Sequence, residues 1–76
     1  MTGLREAQMV LEYYRSSPPT ALEMANALRV AALAEVAAGE RDSARKHWSE
    51  ARVLYVDAGI ADGVLEADRH VALLCA

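Results

Sequence analysis

With 76 residues the chain is expected to be one domain, and folding a chain of this size buries about 60% of the surface it exposes when unfolded, which leaves stability marginal and favours help from self-association. Cys75 is the single cysteine, which excludes an internal disulfide and suits a reducing compartment, and the net charge of −3 excludes a grip on nucleic acid through clustered cations. Apolar runs are too short to cross a bilayer and Met1 to Glu6 lacks the pattern of a signal peptide, so a cytoplasmic protein without membrane contact is expected; with 54% hydrophobic but only 5% aromatic residues, its alanine-rich composition points to closely approaching helices.

Punctuation divides the chain into helical segments. The first spans about 3–16, with Thr2 as N-cap and Leu4, Ala7, Leu11 and Tyr14 forming an apolar stripe at three- and four-residue spacing. Ser16-Ser17-Pro18-Pro19 stops it, because proline lacks an N–H and pushes the preceding residue out of helical geometry. Thr20 and Glu23 form a capping box that opens a second helix over about 20–38, closed by Gly39. Leu22, Ala25, Leu28, Ala31, Ala32, Leu33, Val36 and Ala37 surround much of that helix, as expected of a central element contacted from more than one side.

Asp42 is the expected N-cap of a third helix over about 42–58. Ala44, Trp48, Ala51, Tyr55 and Ala58 make its packing seam before Gly59 ends it, and Arg45, Lys46, Ser49, Glu50 and Arg52 make a solvated face. Asp62 is the expected cap of the fourth helix, about 63–75, whose apolar residues Val64, Leu65, Val71, Ala72, Leu73 and Leu74 run on without a polar stop. A shift of 40 residues lays Ala27–Leu33 over Ala67–Leu73 with Ala, Arg, Ala and Leu matched, a period typical of stacked helical hairpins.

Between Leu28 and Tyr55 the chain resembles a tetratricopeptide repeat. Leu28, Ala31 and Ala32 stand at the first helix's signature positions, Gly39 makes the turn, and Ala44, Trp48 and Ala51 repeat the small, aromatic, small series of the second helix. Two departures are Glu35, where tyrosine is frequent, and the lack of a proline after Tyr55. Leu54 to Gly59, Gly63, Glu66-Ala67 and Val71 to Leu74 resemble instead the longer repeats of sensor regions in bacterial transcriptional regulators, and Ala44 to Trp48 and Leu54-Tyr55 resemble their terminal repeats in actinomycete-type proteins.

The resemblance implies an all-α fold of antiparallel helix-turn-helix hairpins, a four-helix piece of a right-handed superhelix. The second and third helices would form one hairpin, the first the end of a preceding one and the fourth the start of a following one. It also implies a protein or peptide partner on the concave surface, where Asn26, Arg29, Leu33 and Val36 face outward beside Arg69 and Leu73. Arg29 and Arg69 would hold a carboxylate or acidic peptide through forked donors, with Asn26 bonding its backbone. The competing reading is two solvated arginines paired with Glu23, Asp68 or Glu66 on their own helices. A different class of role is a self-assembling homo-oligomer that pairs its first and fourth helices, or a fragment of a longer array, because Val71, Leu73, Leu74 and Cys75 would lack cover in an isolated chain.

Catalytic patterns find no foothold. His47 and His70 have no metal-ligand spacing and read as surface residues, and Cys75 in its apolar context reads as an inert thiol. Ser16, Ser17, Ser43 and Ser49 have no adjacent base. Tyr13, Tyr14, Tyr55, Met9 and Met24 read as packing residues. The expectation is therefore a non-enzyme with no cofactor and no metal.

Overall fold

A computed structural model describes the backbone of residues 3–16 and 20–75, and their side chains except for residues 13–16. The Thr2 cap, the Pro18-Pro19 stop and the packing of Tyr13 and Tyr14 lie outside what is described. The described residues form four α-helices: α1 (Gly3–Ser16), α2 (Ala21–Ala37), α3 (Arg41–Ala58) and α4 (Ala61–Cys75). The fold is all-α. No helix among the described residues is long and apolar enough to cross a membrane.

Local chemistry sets the helix ends. Thr20 caps α2 by accepting the Glu23 N–H on its hydroxyl at 3.1 Å, while the same hydroxyl donates to Glu23 Oε1 at 3.1 Å. Gly39, at φ +79°, turns the chain out of α2: the Glu40 N–H reaches the Glu35 carbonyl at 2.8 Å and the Gly39 N–H reaches that of Val36 at 3.1 Å. Gly59, at φ +72°, closes α3 in the same way, with the Ile60 N–H on the Tyr55 carbonyl at 2.9 Å. Asp42 and Asp62 do not cap. Glu40 takes the N-cap position of α3 and the Ile60 carbonyl accepts the first bond of α4, so each aspartate lies inside a first turn, where its charge opposes the positive helix end.

The small residues then let α2, α3 and α4 lie side by side. Glu35 meets His47 near the α2–α3 turn while Asn26 meets Tyr55 at the far end, so these helices run antiparallel. Trp48 against His70 and Arg52 against Asp68 place α4 antiparallel to α3 in turn. One buried cluster joins α1 to this hairpin through Ala7 and Leu11, which pack with Ala25, Ala27, Leu28, Ala31, Ala51 and Tyr55. The second surrounds the fully buried indole of Trp48 with Ala32, Ala44 and Ala67, and Val71 and Leu74 pack against it. Leu73 and Cys75 alone of the four residues expected to lack cover are exposed.

Neither histidine is a simple surface residue. His70 stacks on Trp48 with ring centroids 4.3 Å apart and planes 9° from parallel. His47 Nδ1 lies 2.7 Å from Oε1 of Glu35, whose residue is only 1% exposed. The Glu35 carboxylate thus ties α2 to α3 from inside.

Candidate interaction groove

Helical spacing brings the candidate residues to two facing stripes. Leu22, Asn26, Arg29, Leu33 and Val36 follow steps of four, three, four and three along α2, and Asp62, Glu66, Arg69 and Leu73 follow the same rhythm along α4. Both helices pack on α3, so the lower halves of these stripes border one open groove of about 410 Å³. Leu22, Asn26 and Arg29 line one wall, Asp62, Glu66 and Arg69 the other, with Tyr55, Ile60 and Gly63 between them.

The polar groups of the groove are already ordered. Arg29 donates through Nε to Glu66 Oε1 at 2.6 Å and through Nη2 to Oε2 at 3.0 Å, a two-point pair across the helices. The hydrogen bond from Arg29 holds the Glu66 carboxyl below its ordinary range, and the same bond raises the Arg29 guanidinium. Tyr55 donates its hydroxyl to Asn26 Oδ1 at 2.6 Å, and burial pushes its phenol up. An ideal Cβ on Gly63 would lie 2.5 Å from the Tyr55 ring, so α4 approaches α3 there to a distance only glycine allows.

These contacts correct the expected roles. The Arg29 fork is not free for a partner's carboxylate, because Glu66 fills it, and the pair spans two helices rather than one. Arg69 is exposed and has no hydrogen-bond or ion-pair partner among the described residues, so its donors remain available. Asn26 has its carbonyl oxygen engaged and offers the amide N–H groups. Leu33, Val36 and Leu73 are exposed along the same stripes but lie beyond the groove lining.

Tyr55 and Gly63, which sequence reasoning did not place there, complete the site with Glu66, which it named only as an arginine partner on its own helix. The 40-residue register does set Glu66 opposite Asn26, which was a signal of equivalent position though not of contact. On the solvated face of α3, Arg52 pairs with Asp68 and pins α4, and Arg45 lies 3.7 Å from Asp42. Among the described residues no cluster of three or more His, Cys, Asp or Glu could hold a metal ion. No protein-family model, curated protein or solved structure matches the chain.

Proposed function

We propose that this chain is a protein-interaction module of tetratricopeptide type that binds a peptide or protein segment along the α2 and α4 surface. On this reading the helices are a piece of a right-handed superhelix working in the cytoplasm, and the chain performs no catalysis. The observation that carries the proposal is the groove itself. Its Arg29–Glu66 and Tyr55–Asn26 contacts hold the walls in place before any ligand arrives, which lowers the ordering cost of binding.

Each part has a task. The donors of Arg69 suit a carboxylate, the Asn26 amide suits a peptide carbonyl, and Leu33, Val36 and Leu73 offer apolar contacts to side chains beyond the polar section. Arg29 acts as a positioning residue that fixes α4 against α2.

The test is an amide chemical-shift titration with short peptides that alternate leucine and glutamate and carry a free C-terminal carboxylate. Shifts are expected to concentrate on Asn26, Leu33, Arg69 and Leu73. Arg69→Glu is expected to weaken binding about tenfold, equivalent to ~1.4 kcal/mol, without changing the unfolding midpoint. Shifts confined to other faces, or equal affinity in the Arg69→Glu variant, would remove the groove from consideration.

A further inference from the structure

The helix relations repeat within the chain, and the repeat exposes a mismatch at its ends. Ala27 buries against α1 beside Ala7 and Leu11, and its counterpart 40 residues on, Ala67, buries against Trp48 of α3. Thus α4 sits on α3 as α2 sits on α1. What α2 has in addition is α3 itself, packed along the stripe Ala25, Leu28, Ala32 and Glu35, each at most 1% exposed. The same register carries that stripe to Leu65, Asp68, Ala72 and Cys75 of α4, and all four are exposed, Leu65 by 61%, with Asp68 alone held by a partner within the chain, Arg52 of α3.

The opposite end carries the complement. Within the chain α2 packs on α3 and reaches α4 through the Arg29–Glu66 pair. The equivalent angle between α1 and α2 is an open groove of about 480 Å³, in which Ala7, Val10, Ala27 and Val30 supply apolar lining and Glu6 and Glu23 the charge. One end therefore presents a helix without a groove, and the other a groove without a helix.

We infer that a second copy of this chain is the occupant: α4 of one copy seats in the α1–α2 groove of the next, head to tail, and extends the helix order across the junction. Charge selects this occupant. Arg69 is the register equivalent of Arg29, and across the junction it meets the α2 wall carrying Asn26, the counterpart of Glu66, with Glu23 one turn before it. An unpaired cation on the helix thus has the Glu23 carboxylate of the groove rim one turn from its register partner, whereas Arg29 meets Glu66 directly inside the chain. Because the two surfaces differ, the contact is heterologous and does not close at two copies. This inference goes beyond peptide binding and draws on the same Arg69 and Asn26, so a peptide and a second copy would compete for them.

Sedimentation of the full chain over a rising concentration series tests it, with two variants at exposed positions. Leu65→Glu blocks the α4 side, and Val30→Glu, at a residue 51% exposed, blocks the groove side. Wild type is expected to grow from the 8.2 kDa single chain through successive multiples as concentration rises. Each variant alone is expected to remain a single chain with unchanged helical circular dichroism. Their equimolar mixture is expected to stop at a one-to-one dimer, since each supplies the surface the other lacks. Should Val30→Glu lose helicity, Val10→Glu blocks the same groove from α1. A wild type that stays a single chain at high micromolar concentration overturns the proposal and assigns the open stripe to another partner. Wild-type association with a mixture that stays single-chain also overturns it, in favour of a like-with-like contact.

Discussion

Gly63→Ala is the substitution for which general helix chemistry and this structure give opposite signs. In an exposed helix interior alanine is favoured over glycine by about 1 kcal/mol. Here the added Cβ would meet Cγ and Cδ1 of Tyr55 at 2.5 Å and Cδ2 at 2.8 Å, about 1 Å inside ordinary carbon contact. The ring has no easy retreat, because Tyr55 is buried and its hydroxyl is tied to Asn26 on α2. Overpacking of this kind costs about 1–3 kcal/mol, so after alanine's helix preference is subtracted a net loss of about 1 kcal/mol is expected. The control is the same change in a Tyr55→Ala background, where Cγ and both Cδ atoms that crowd position 63 are gone and alanine should stabilise by about 0.5–1 kcal/mol. Urea unfolding of the four proteins, followed by circular dichroism and by Trp48 fluorescence, gives the coupling directly. If Gly63→Ala stabilises both backgrounds equally, the ring is not what holds position 63 to glycine, and the close α3–α4 approach is wrong.

Trp48→Ala should cost about 3–5 kcal/mol in the same urea experiment, since it leaves a cavity between α2, α3 and α4. Trp48→Phe should cost markedly less, because it keeps an aromatic face against His70 and removes the buried Nε1–H, which has no hydrogen-bond partner among the described residues. His47→Ala should destabilise more than Glu35→Ala: the first strands a buried acceptor, at about 1–3 kcal/mol, whereas the second leaves a ring nitrogen on the more exposed partner. Glu66→Gln tests the groove pair by pH. The folded-state pKa of Glu66 lies below its unfolded value, so the stabilisation is full above the ordinary carboxylate range and is lost as pH falls through the lowered value. The wild-type advantage over Glu66→Gln should be about 0.5 kcal/mol at neutral pH, given the pair's partial exposure, and should vanish in acid; an advantage that persists there contradicts the assignment.

Much of the helical layout was legible from residues that act on their own neighbours. Gly39 and Gly59 adopt the left-handed backbone their positions suggested, and Thr20 caps through a bond within its own turn, because these signals need only a few consecutive residues. Asp42 and Asp62 were misjudged as caps because an acidic side chain suits both the cap and the first turn, and the preceding glycine turns set which residue comes first. The seam of Ala44, Trp48, Ala51 and Tyr55 was also readable, since three- and four-residue spacing specifies a face.

What spacing cannot specify is the neighbour that face meets. Arg29 and Glu66 are 37 positions apart, and the pair exists only because α2 and α4 both pack on α3. Glu35 found His47, and His70 found Trp48, by the same route. The sequence alone determined the helices, their turns and the small-residue surfaces on which they touch, because those depend on local backbone chemistry and periodicity. Tertiary structure alone decided which arginine stays free, which histidines are covered and which stripe of α4 is left open, because each depends on how neighbouring helices align.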